Sequence, residues 1–451
     1  MKNLSIHIAL FMIAIIFGGH FSFAADDNLA DSISASIPPQ LRFLRAYGGS
    51  DETMPPIALS SKTSDKKTQV SYAFANVTIE LDIQCKVPPQ MFVLFKHCNA
   101  DWSDDNNSFL NDPALLRTST IMWNIAPPAS LWYSYRGTLQ VPNEQVRFNY
   151  GGNWKAEFYL YDDPSNPFAT ARFFVVEPRA ETKLQVYGDF YSPKNTVFSS
   201  AAYTLEAIAR VPETMSDGQL STAAFYRLNR YTQPFMVSDN SSYEQLNSRL
   251  YAYEMPTMIS GFGIAGRRFR IEKIPAENEY RNLPLDDFSL YPRSNAPQRM
   301  WRPDIWRNGN FFEPSDGGSM ITRFLSSGDL DYVNLEFLLN PQSRLAEHEV
   351  FVSGSFNNWN PDANWMMHWD ENIGLYRLRQ WVPRGRHGYL YMTGSINADT
   401  QKAEKLTSEE FEGNTARAGH RFIALIYFKE FGFGGYETIV GVAGGSTYGS
   451  W

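Results

Sequence analysis

Cysteine is almost absent from this 451-residue chain, which carries only Cys85 and Cys98. That count excludes a disulfide-stapled scaffold. No HExxH, GxSxG, P-loop or EF-hand pattern occurs, so the motif-borne forms of metalloprotease, serine-hydrolase, NTPase and calcium chemistry have no sequence support. Beyond the N-terminus no apolar run reaches about 18 residues, which excludes membrane-spanning helices. Positive charge is not in excess either: 40 Lys and Arg stand against 48 Asp and Glu, a formal charge of −8, so nucleic acid is not an indicated partner. No tandem repeat of fixed period is visible.

What the chain does contain is aromatic and turn-forming residues. Hydrophobic residues make up 43% and aromatics 15%, with 30 Gly and 26 Pro, a balance that favours many short strands separated by turns over helical bundles. The length suggests about three domains. Lys2, the apolar run Ile8 to Phe17 and the small-residue exit Ser22-Phe23-Ala24 read as a secretory signal peptide over residues 1–24. No cysteine lies at the cleavage site to carry a lipid. An outer-membrane barrel fits poorly, because its last strand would present Gly449, Thr447, Gly445 and Ala443 to lipid.

Taken in order, 25–40 is a polar, Ser-rich leader. Period-two segments at Leu41–Tyr47, Val70–Phe74, Val77–Ile83, Met91–Lys96, Ser119–Ile125, Trp154–Tyr161 and Ala171–Val176 predict an N-terminal β-sandwich over 41–179. A second β-rich domain, 180–276, is expected to use Lys183–Tyr187, Ala202–Ala209, Ala223–Leu228, Arg249–Tyr253 and Arg268–Lys273, with a helical turn or two at Ser241–Leu250. An irregular, aromatic-rich connector follows over 277–329 and is expected to pack across domains. A C-terminal early-set-like sandwich, 330–451, is predicted from Tyr332–Leu339, Glu349–Ser353, Tyr376–Trp381, Gly388–Met392, Phe422–Phe428 and Thr438–Val442. The fold class is all-β, a tandem of sandwiches.

Several motifs bear on function. Gly261-Phe262-Gly263-Ile264-Ala265-Gly266 matches a dinucleotide fingerprint in letters, but an alternating strand follows where a helix is required, so a glycine-rich hairpin is expected. In His97-Cys98-Asn99-Ala100-Asp101-Trp102 the adjacent His and Cys of an extended chain face opposite ways. The favoured reading is a strand exit with Trp102 buried and Asp101 bonding the turn; a metal site is the alternative. If Val77–Lys86 and Met91–His97 form a hairpin, Cys85 faces Phe92 while Cys98 lies near Ile79. That register opposes a bridge, which an export compartment would otherwise permit. Trp301, Arg302 and Trp306 are interface-type residues; inter-domain packing is the favoured role for their segment, and binding a partner is the alternative.

Val350 to Asn360, VFVSGSFNNWN, resembles the opening of the glycogen-binding modules of carbohydrate-binding family 48, in which the tryptophan after Asn-Asn stacks on sugar. Here that residue is Trp359. The lysine and second tryptophan of those modules have no counterpart in Tyr389 to Ser395, so the sandwich resemblance survives better than the sugar cradle.

A wider resemblance covers nearly all of the mature sequence. His97 to Trp102, Pro142-Asn143, Gly151-Gly152-Asn153-Trp154, Arg172 to Glu177, Gly266 to Arg270, Asn308-Gly309, Asp331-Tyr332-Val333, Glu412-Gly413-Asn414 and Tyr436 to Gly441 occur in the order and spacing of the plug-protein family of the Bacteroidetes type IX secretion system. Asn99, Gly151, Trp154, Arg267 and Arg268 depart from the family pattern. The resemblance implies a non-enzymatic periplasmic protein without cofactor or metal. Such a protein docks on the large outer-membrane translocon barrel and closes its periplasmic opening while no substrate is engaged. A periplasmic glycan-binding protein using Trp359 is the alternative.

Overall fold

The computed structural model describes residues 38–63, 74–192, 200–215, 217–261, 266–308, 317–342, 345–415, 418–432 and 434–447, with the backbone of 449–450. The signal peptide, nearly all of the leader, most of the segment at Val70–Phe74, the tetrapeptide 262–265 and Gly309 lie outside them.

Strand formation follows the period-two rule closely. In the strand Val77–Gln84, Val77, Ile79, Leu81 and Ile83 are all fully buried. The intervening Glu80 and Asp82 are held on the opposite face by Arg45 and Arg136. In Tyr332–Asn340, Val333, Leu335, Phe337 and Leu339 are likewise fully buried, while Glu336 opposite them collects Arg299 and Arg377. Alternate residues of a strand face opposite sides of the sheet, so each such strand presents an apolar face to a partner layer.

Among the described residues the strands make five sheets. A four-stranded sheet of Gln40–Gly48, Val77–Gln84, Tyr135–Val141 and Met122–Ile125 covers one half of a long, ten-stranded central sheet. A second four-stranded sheet, Glu181–Phe190, Ala201–Arg210, Arg267–Pro275 and Thr257–Ser260, covers the other half. The third sandwich packs a sheet built on Arg386–Ile396 and Glu349–Gly354 against one built on Tyr332–Asn340 and Leu375–Pro383. The protein is thus mostly β, as expected. Its main helix, Ser241–Leu250, begins at Asn240, whose side chain accepts a hydrogen bond from the Ser242 amide. The helix includes Arg249 and Leu250, where a strand is predicted from sequence.

Strand partners depart from the sequential reading. The strands Arg421–Glu430 and Tyr436–Ser446, read as the close of the C-terminal sandwich, lie in the central sheet. The first pairs with Gly218–Arg227 over nine positions and the second meets Ala169–Val176 through Ile439 and Val176. The third sandwich is therefore inserted between strands of the second. The connector is less irregular than expected: Arg281–Pro284 pairs with Arg386–Ile396, and Gln298–Arg299 and Asp304–Ile305 extend the edge of Tyr332–Asn340 in parallel. Val77–Gln84 and Met91–Cys98 form no hairpin. They belong to different sheets, because the chain at Val87-Pro88-Pro89-Gln90 crosses between layers, and Cys85 and Cys98 are both free thiols. The described residues from Pro39 onward form one compact unit, and among them no helix is long and apolar enough to cross a membrane.

Candidate functional site

The loop after Glu349–Gly354 is where the β layers meet. Its turn is built locally: Asn357 accepts from the Gly354 amide at 3.0 Å and donates to the Val352 carbonyl at 2.9 Å. Asn358 and Trp359 then adopt consecutive left-handed conformations, φ 53° and 57°. Asn tolerates this region, whereas Trp holds it only where its surroundings fix it. Those surroundings come from four distant segments. Asn358 Nδ2 donates to the Leu44 carbonyl at 2.8 Å. Thr232 and Gln233 donate to the Asn358 and Trp359 carbonyls, and Trp359 Nε1 donates to the Gly318 carbonyl at 2.9 Å. The indole lies 4.6 Å from the Tyr280 ring and beneath the Arg230 guanidinium at 4.1 Å. Gly318, at φ +85°, admits this approach, since a Cβ there would stand 3.0 Å from the Trp359 ring. Trp359 is 1% exposed. It offers no face to a sugar, which corrects the glycan-platform expectation; the indole is a clamp between layers.

Around this loop lies a cleft of about 640 Å³. Leu44 to Tyr47 supply part of one wall, Lys155, Glu157 and Thr170 to Arg172 another, and Asn229, Tyr231, Thr232, Gly318 to Met320, Asn357 to Asn360 and Lys402 contribute to the others. Arg45 in its floor is buried between Glu52 and Glu80, 2.8 and 2.7 Å away.

Two polar knots fix the layers elsewhere, and each takes in at least one of the segments that carry the resemblance, His97 to Trp102 with Gly151 to Trp154 in the first and Glu412 to Asn414 in the second. At the first, both ring nitrogens of His97 are engaged, Nδ1 by Asp105 at 2.8 Å and Nε2 by the Gly151 carbonyl at 3.1 Å. Gly152, at φ +138°, leaves room for this ring: a Cβ there would overlap Nε2 at 2.1 Å. Asn153 donates to the Asn99 and Ala100 carbonyls and accepts from Tyr427 at 2.7 Å. Glu437 accepts from the Ala100 amide at 2.8 Å, and its pKa is raised, burial outweighing these bonds. Trp102 is buried and Asp101 caps the turn through Ser103. His97 and Cys98 thus serve as framework.

At the second knot Glu412 is fully buried and accepts from Arg281 at 2.9 Å, Arg307 at 2.7 Å and the Tyr391 amide at 2.8 Å. Asp304 pairs with Arg281 at 3.2 Å and accepts from Tyr389 and Tyr391. Its neighbour Asn414 donates to Tyr191 of the second sandwich.

The residues expected to bind a partner separate. Trp301 is 81% exposed and Arg302 is exposed; both stand on the segment between the two short edge strands. Trp306 packs instead against the C-terminal core and donates to the Glu410 carbonyl at 2.7 Å. At the glycine-rich motif, Thr257–Ser260 and Arg267–Pro275 flank the segment as an antiparallel pair, and Gly261 and Gly266 have φ +84° and +90°. That arrangement is a hairpin. Sequence reasoning singled out Glu412 only as part of a Glu-Gly-Asn motif and missed its buried role, as it missed Arg281 and the cleft, because the partners are remote in sequence.

No protein-family model matches the chain, and no curated protein does. Among solved structures it is similar to the crystal structure of a hypothetical protein from Parabacteroides merdae, with a TM-score of 0.65 over 90% of this chain and 97% of that one. The fold is shared with a Bacteroidetes protein. At 16% identity the likeness concerns architecture alone.

Proposed function

We propose that this protein is a non-enzymatic, periplasmic plug or accessory of the type IX secretion translocon, closing the periplasmic opening of the large outer-membrane barrel while no substrate is engaged. The observation that carries the reading is the way the last two strands return from the C-terminal sandwich into the central sheet. This ties the sandwiches into one body. A wide pore would leak around a chain of loosely hinged domains; a stiff body with its strands interwoven can seal it.

The segments behind the family resemblance support the same reading. His97 to Trp102, Gly151 to Trp154 and Glu412 to Asn414 are spent on buried joints between layers. Contact with the barrel falls to exposed residues, Trp301 and Arg302 first, since Trp and Arg dominate interface hot spots. The test is capture: tagged protein is incubated with detergent-solubilised Bacteroidetes outer membranes and the retained proteins are identified. A very large barrel protein should be recovered, and its absence from repeated captures would sink the proposal.

A further inference from the structure

The register of the central sheet puts three cations side by side. Lys96 lies opposite Lys155, and Lys155 opposite Arg172, so the three share one face on adjacent strands. Directly opposed like charges are destabilising, and each needs a counter-charge. Lys96 has Glu157 at 2.7 Å, and Glu157 also accepts from Tyr159. Among the described residues the carboxylate paired with Lys155 is Asp104, at 2.5 Å, whose side chain is 64% exposed. Arg172 has no carboxylate or hydrogen-bond partner among the described residues; its guanidinium lies 4.9 Å from the Trp102 ring. It is reached by solvent from the cleft, yet enough protein surrounds it that desolvation lowers its pKa.

Lys155 and Arg172 both line the 640 Å³ cleft, a volume in the range of small-molecule sites. Asn360 also lines its wall, whereas the Asn357 amide there is engaged by Gly354 and Val352. In the same wall the Ser319 hydroxyl, on a residue 5% exposed, has no hydrogen-bond partner among the described residues. The acids nearby are already committed: Glu52 to Arg45 and the Thr322 amide, Glu157 to Lys96. The cleft lining carries four cations, Arg45, Lys155, Arg172 and Lys402, against two glutamates, an excess of positive charge.

We propose that this cleft binds a small anion through a carboxylate or phosphate group, gripped by Arg172 and by Lys155 as it exchanges Asp104 for the ligand. The geometry of a planar guanidinium beside a mobile ammonium suits an oxyanion. The site is independent of any barrel partner, so its test uses the purified chain alone.

Inorganic phosphate and citrate are titrated separately at constant ionic strength, with binding read by calorimetry and by the shift in melting temperature. At least one should bind saturably, and which one distinguishes the two headgroups. Arg172→Gln should weaken binding about tenfold or more, as expected for losing charge-assisted hydrogen bonds. Asp104→Asn, which frees Lys155 and sits at an exposed position, should tighten binding severalfold. Saturable binding by neither anion, or equal affinities across wild type and both variants, overturns the proposal. Should Arg172→Gln fail to fold, Asp104→Asn decides alone: an unchanged affinity refutes the site.

Discussion

Glu412→Gln tests whether the sandwiches form one mechanical body. The wild-type carboxylate is fully buried and is the shared acceptor of Arg281, Arg307 and the Tyr391 amide at 2.7–2.9 Å. Glutamine keeps the shape but replaces one oxygen with a donor that faces other donors. Arg281 then keeps Asp304, 3.2 Å away, while Arg307 loses the carboxylate that it meets at 2.7 Å. Removing one partner of a buried ion network costs about 3–5 kcal/mol, mainly because the opposite charge stays buried. How that cost appears depends on cooperativity. Unfolding entropy grows with the number of residues that melt together, so about 4 kcal/mol lowers the melting temperature of a roughly 400-residue unit by about 5 °C. The same cost would lower that of a roughly 130-residue inserted sandwich melting alone by about 15 °C. Differential scanning calorimetry at pH 7 separates the cases. One transition displaced by a few degrees is expected. A separate, early transition from the inserted sandwich would refute the interwoven-body argument, and a displacement below about 1 °C would refute the charge assignment.

Trp359→Ala should destabilise by about 3–5 kcal/mol, the range for truncating a buried aromatic, in urea titration, and should leave retention on oligosaccharide columns unchanged; selective loss of retention would restore the glycan reading. Trp301→Ala with Arg302→Ala should change stability by no more than about 0.5 kcal/mol, as for surface positions, while lowering barrel capture severalfold; full capture would move the interface elsewhere. Acid should weaken the fold before ordinary carboxylates titrate: burial pushes both His387 and His420 down to about 4, so between pH 6.5 and 4 the unfolded chain takes up protons that the folded one refuses. Stability is retained above pH 6.5 and lost toward pH 4, by about 3 kcal/mol per histidine, partly offset by Glu437, whose raised pKa acts oppositely; a flat denaturation midpoint from pH 7 to 5 would contradict this.

The sequence and the structure agree on strands and disagree on partners, for a physical reason. Alternation of Val77, Ile79, Leu81 and Ile83 specifies which face is buried, and burial is a property each strand carries by itself. Which strand lies alongside is decided by three-dimensional packing. Nothing local in Phe422 to Phe428 says that it pairs with Gly218–Arg227 and not with the sandwich just completed. Tyr135–Val141 was missed because Gly137 reads as a break. It lies mid-strand against Leu81 and Trp123, where a Cβ would come within 2.8–2.9 Å of either side chain.

The same limit governs the sites. The turn Ser355 to Trp359 was legible as a sandwich loop, but the direction of Trp359 depends on Gly318, Tyr280 and Arg230, each remote in sequence. Trp301 and Trp306 look equivalent in the chain, yet only Trp306 reaches a core. The cation row is the extreme case. Lys96, Lys155 and Arg172 are ordinary strand residues one at a time, and they become a charged surface only through the registers Lys96–Lys155 and Lys155–Arg172. A one-residue slip in either pairing would turn one cation away from the others. The anion-binding proposal therefore also tests the register: if Arg172→Gln and Asp104→Asn move affinity in opposite directions, the two strands must present Arg172 and Lys155, the partner of Asp104, to one ligand.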